Sequence, residues 1–85
     1  MEAPESTRKT NPVNVEWETR AKNLLKAELK RKGITYAQLA EKLAELGVHE
    51  NERNLNNKIS RGGFGAAFML QCLAASGVET LHLGK

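Results

Sequence analysis

Apolar positions along the chain fall into helical stripes that close on one repeated ending: Leu29-Lys-Arg-Lys-Gly33-Ile34, Leu43-Ala-Glu-Leu-Gly47-Val48 and Leu73-Ala-Ala-Ser-Gly77-Val78. Each places Gly where a helix turns left-handed, and each follows it with an apolar residue that returns to the Leu five positions back, the Schellman stop. Three helix ends are thereby marked. The segments before them are otherwise unlike, so the repetition is shared capping chemistry and not an internal repeat. The first helix is predicted to begin near Asn14. Glu16 and Glu18 then lie toward its positive end and Lys30, Arg31 and Lys32 at its negative end, as the macrodipole prefers. Its inward stripe is expected to be Trp17, Ala21, Leu24, Leu25 and Leu29. For the second helix, Thr35 with Gln38 makes a capping box and Ile34 with Leu39 a hydrophobic staple. Tyr36, Leu39, Ala40, Leu43 and Leu46 supply its buried face.

Between Val48 and Gly62 the pattern changes: Leu55 and Ile59 stand four apart among Glu, Arg, Asn and Lys. This predicts a short, mostly exposed helix over 51–61, capped by Asn51 and ended by Gly62 and Gly63, with Phe64 re-entering the core. The last helix, Gly65 to Ser76, is apolar nearly all round, with Gln71 its one strongly polar interior residue. Such a helix has to be covered on more than one side. Either it runs through the centre of the core or a second copy covers part of it, which makes Phe68, Met69 and Leu70, with Leu81 and Leu83 of the tail, candidate dimer residues. Weak alternation over Val78 to Leu83 suggests a short strand, paired with Val13 to Val15. The expected fold is all-α, a compact helix-turn-helix domain of four helices, with a fifth left open, over residues 14–85. A flexible polar tail is expected over 1–13.

Composition narrows the chemistry. Eighty-five residues with one core leave no room for a deep substrate cleft. All ten acids are Glu, which removes Asp-based calcium loops and triads. Cys72 is alone, forms no internal disulfide and lies in an apolar run, where a small buried hydrophobe is the expected role. His49 and His82 have no matching cluster at metal spacing, and Gly62-Gly63-Phe-Gly65 lacks the Lys and strand of a P-loop, reading instead as a flexible joint. No catalytic residue, metal, cofactor or small-molecule substrate is expected. Without a recognisable leader or a long apolar stretch, the expectation is a cytoplasmic protein that makes no membrane contact.

The net charge of +3 is unevenly placed. From Glu16 to Ile34, six cations (Arg20, Lys22, Lys26, Lys30, Arg31, Lys32) oppose three Glu, so this segment alone sums to +3. A solvated helix face and an anionic partner both explain it. Two helices joined by a turn, the second short and polar, make a helix-turn-helix, whose second helix lies in the DNA major groove. With Leu55 and Ile59 inward, 100° steps put Arg53, Asn57 and Ser60 outward and Asn54, Asn56 and Arg61 on the flanks. Arg pairs bidentately with guanine and Asn with adenine. Asn loses roughly 0.6 kcal/mol against Ala in a helix, so Asn54, Asn56 and Asn57 were not chosen for helix stability. Arg53, Asn54, Asn56, Asn57 and Arg61 are therefore the candidate base-reading residues. Lys30, Arg31, Lys32, Thr35, Gln38, Lys58 and Ser60 are the candidate phosphate contacts.

The stretch Gly33-Ile-Thr-Tyr-Ala-Gln-Leu-Ala-Glu-Lys-Leu43, followed by the Gly47-Val48 turn, resembles the opening of the lambda-repressor-like helix-turn-helix family, and Ile59 to Gly62 resembles the end of its recognition helix. The resemblance implies double-stranded DNA binding and a bacterial transcription regulator, with a homodimer the expected form. Val48 to Gly62 is longer than that family's turn plus recognition helix, and Glu50 and Glu52 replace the small hydroxyl residues that open it. Trp17 to Leu83 as a whole also resembles a group of small bacterial proteins of unassigned function. The competing expectation is a protein-interaction module on the same scaffold, motivated by the weak net charge and by Glu50 and Glu52 beside the reading face.

Overall fold

A computed structural model describes residues 12–83. Four helices follow in order: α1 (Pro12–Lys32), α2 (Tyr36–Glu45), α3 (Glu52–Arg61) and α4 (Ala66–Ala75). The all-α expectation holds, with neither a fifth helix nor a strand among the described residues. Residues 1–11 of the expected tail lie outside the described part, while Pro12 and Val13 belong to α1. Pro suits a first helical turn because its missing N–H has no partner there in any case. The earlier start leaves no acid in the first turn of α1, so Glu16 and Glu18 sit one turn further in. It also takes Val13 to Val15 into a helix, which removes the expected strand pairing. Val78 to Leu83 continues without regular structure, with Val78 and Leu81 packed against the core.

All three Schellman stops form. The amides of Ile34, Val48 and Val78 donate to the carbonyls of Leu29, Leu43 and Leu73 at 2.9, 3.0 and 2.9 Å. The glycines before them take φ of 70°, 85° and 78°. The α2 capping box closes in both directions: the Gln38 amide donates to Thr35 Oγ1 at 3.1 Å and the Thr35 amide to Gln38 Oε1 at 2.9 Å. Asn51 caps α3, its Oδ1 accepting from the Asn54 amide at 2.7 Å.

Each of the first two helices packs against both of the last two, through α1–α3, α1–α4, α2–α3 and α2–α4 contacts. At their meeting lies a core of Leu25, Leu29, Leu39, Leu43, Leu55, Ile59, Cys72 and Leu73. The expected inward stripes of α1 and α2 fail in part here. Leu25 and Leu29 set the rotation of α1, and 100° steps then carry Trp17 off the inward line, leaving it 60% exposed. Ala21 and Leu24 are half-buried and stay outside the core cluster, and Leu46 of α2 is exposed. In place of Trp17, the half-buried residues of the first turns of α1 are Asn14 and Glu18. Of the two alternatives for α4, a course through the centre of the core is not the one adopted. The helix buries Cys72, Leu73 and Ser76 on one side and leaves Leu70 66% exposed.

Gly62 and Gly63 close α3 against α1. A Cβ on Gly62 would lie 3.5 Å from the Glu18 carbonyl oxygen, and one on Gly63 3.4 Å from the Glu18 carboxylate. Gly62 has φ 75° and ψ −169°, a conformation that is essentially confined to glycine. The expected joint is thus a specific turn seated on α1.

Candidate nucleic-acid interface

Leu55 and Ile59 are the buried residues of α3, both fully so, and every other residue of the helix is exposed. The candidate base-reading residues Arg53, Asn54, Asn56, Asn57 and Arg61 therefore all reach solvent. Asn56 Oδ1 accepts from Ser60 Oγ at 3.0 Å, one helical turn on, which occupies part of both side chains. The side chains of Arg53, Asn57 and Arg61 have neither an ion pair nor a hydrogen bond among the described residues.

The candidate phosphate contacts are not brought to one face. Arg31 pairs with Glu28 one turn back on α1. Lys32 Nζ donates to the Gly77 carbonyl at 3.2 Å and ties the end of α1 to the end of α4. Lys58 pairs with Glu50 and lies over the Phe68 ring, 5.1 Å from its centroid. Thr35 and Gln38 are engaged with one another in the capping box. Lys30 is the cation of this set left unpaired among the described residues. With Lys26, Thr35 and Tyr36 it lines an open groove of about 510 Å³, where the end of α1 and the start of α2 meet Glu52 at the start of α3. Burial raises the Tyr36 phenol above its ordinary pKa.

Since Glu52 lies near Lys26 and Lys30 while Gly62 lies against Glu18, α3 runs antiparallel to α1. On α3, Lys58 marks the flank toward α4, and Glu52 marks the flank toward the lysine-lined groove. Arg53 and Asn57 project between these flanks. Lysines thus lie beyond both flanks of α3: Lys58 with its charge compensated by Glu50, and Lys26 and Lys30 in a groove they share with Glu52.

Sequence reasoning missed the inward turn of Glu50, whose side chain is 11% exposed. It sits near the fully buried Cys72 thiol, which burial and then the Glu50 charge push up to about 12, against a smaller lowering by Lys58. No periodic signal links positions eight apart across a turn, so the Glu50–Lys58 pair could not be found from spacing. Lys26 was legible as a cation on α1 but not as a neighbour of α3. The candidate dimer residues also separate. Phe68 and Leu70 are two 100° steps apart on α4, Phe68 packing on Phe64 with ring centroids 5.6 Å apart while Leu70 faces solvent. Met69 and Leu81 are half-buried against the core, and Leu83 is exposed.

These features define a small all-α domain that presents one polar, thinly anchored helix. The chain belongs to the family described as a domain of unknown function, DUF6471, whose model matches residues 17–81. That span coincides closely with the Trp17 to Leu83 resemblance. Comparison with the curated proteins and with the solved structures finds no match. Among the described residues, no helix is long and apolar enough to cross a membrane, and no three metal-binding side chains gather.

Proposed function

We propose that this protein binds double-stranded DNA, laying α3 in the major groove and reading base edges with Arg53, Asn57 and Arg61, with Asn54 and Asn56 at the margins. The observation that carries this reading is that Arg53, Asn57 and Arg61 are exposed and unpaired among the described residues, on a helix with two buried side chains. Lys30 and Lys26 beside Glu52 provide the phosphate contacts on one flank. The inward turn of Glu50 removes one acid from the path of the phosphates. Few free cations border α3, so a monomer binds weakly, and a homodimer transcription regulator is the form that fits.

Titration of labelled duplex DNA at low and moderate salt tests this. Binding at low salt that weakens steeply as salt rises is expected, because phosphate contacts release counterions. Replacing Arg53 with Ala lowers affinity for a preferred site by about 1–3 kcal/mol and relaxes its base preference. A chain that ignores duplex DNA at low salt overturns the reading. The dispersal of Arg31, Lys32 and Lys58 favours the second reading, a protein-interaction module that uses the same helix. A specific protein recovered from nuclease-treated lysate by the parent chain, and lost with Arg53→Ala, would then take its place.

A further inference from the structure

The first half of α1 is inverted. Asn14 and Glu18 sit half-buried toward the body, whereas Trp17 is 60% exposed and Leu24, half-buried, packs outside the core. Helical spacing puts Trp17, Ala21 and Leu24 on one stripe. Beside it, Trp17 and Phe64 line a shallow hollow of about 300 Å³ with Asn14, Glu18 and Gly63. The Gly62–Gly63 turn accounts for the place of Glu18, but among the described residues nothing buries the chain's sole tryptophan, and an exposed Trp is the residue type that anchors interfaces.

Charge order along α1 selects the occupant. On the flank of Trp17, Glu16 comes first and Arg20 one turn later, whereas Glu18 is turned toward the body and Lys26 toward the groove beside α3. Two such helices laid antiparallel set Glu16 of each against Arg20 of the other and also oppose their dipoles, whereas a parallel pair sets like against like. We propose that a second copy of this chain docks antiparallel across the first half of α1, with Trp17 as the anchor and Glu16 of each copy facing the partner's Arg20. Within one chain Arg20 lies over the Trp17 ring, 4.8 Å from its centroid, and 3.7 Å from Glu16. Exposed pairs of this kind contribute little, so exchanging them for the same pairs across the two-fold costs little. One aromatic anchor and one reciprocal pair of exposed ion pairs make a weak contact, so the dimer forms only as protein concentration rises. Leu70 is equally exposed, but no charge in α4 selects an occupant for it. The proposal does not depend on DNA reading by α3.

The test uses the full chain without DNA. Sedimentation analysis shows a monomer–dimer equilibrium, and Trp17 emission moves to the blue as protein concentration rises. Trp17→Ala stays monomeric with unchanged far-UV circular dichroism, while Leu70→Ala still dimerises. E16R and R20E each lose self-association, and mixing the two restores a heterodimer; this pair also decides the matter should Trp17→Ala fail to fold. A chain that stays monomeric at every concentration with unshifted emission overturns the proposal. So does a dimer that survives Trp17→Ala and disappears with Leu70→Ala, a mixture that stays monomeric, or a Trp17 that becomes shielded only when another protein is added.

Discussion

Trp17 and Leu25 stand on the same helix and have opposite surroundings, although both were expected to face inward. Leu25 is fully buried and Trp17 mostly exposed. Hydrophobicity alone assigns both to the core, whereas the rotation of α1 is set by where α3 and α4 meet Leu25 and Leu29. That is a tertiary fact with no local signature. Cys72 was legible, since a lone Cys in an apolar run is a small hydrophobe, and it is fully buried. Its environment was not, because Glu50 arrives from the distant α2–α3 turn. The thiol titrates near 9.0 when free of the fold and near 12 within it. The unfolded chain therefore loses its proton first. Stability is complete below about pH 9 and falls as pH rises toward 12, by about 2 kcal/mol midway through that window. Denaturant melts of the parent chain and Cys72→Ala across this range check it, the difference between the two curves shrinking as pH rises.

Among the elements, what was legible is what is closed by bonds within one turn. The Thr35–Gln38 box, the Asn51 cap and the three glycine stops each join residues three to five apart, so their spelling is their structure. The Gly62–Gly63 turn was read only as a joint, because its shape depends on the approach of Glu18 from another helix. Replacing Gly62 with Ala forces a side chain into a glycine-only conformation and costs about 1–3 kcal/mol. Thermal melting measures it. Gly65, with no left-handed φ and open space around its Cβ position, tolerates the same change with a far smaller loss. Equal losses at the two positions would show that this turn has no special geometry.

At the scale of the whole molecule, the sequence carried the helix count and the exposed face of α3, since both follow from the period of Leu55 and Ile59 and from the glycine stops. It did not carry the placement of charge. Lys30, Arg31 and Lys32 are consecutive, yet one lines a groove beside α3, one pairs along its own helix and one reaches the end of α4. A run of cations in sequence is not a patch on a helix, because successive residues point 100° apart. The half-covered state of α4 was one of the two alternatives its apolar pattern allowed, and the choice between them was out of reach, since it depends on how α1 and α2 enclose it.

The three glycine stops have a dynamic consequence. The amides of Ile34, Val48 and Val78 lie beyond the last helical residues, where backbone protons ordinarily exchange with solvent quickly. Here each is held by a carbonyl five residues back and flanked by an apolar side chain packed on the core. Releasing any of them requires the end of a helix to come away from the centre of the protein. In hydrogen–deuterium exchange read by NMR, these loop amides persist as long as those of the helix interiors. Their rates order α1, α2 and α4 by the ease with which each helix end opens.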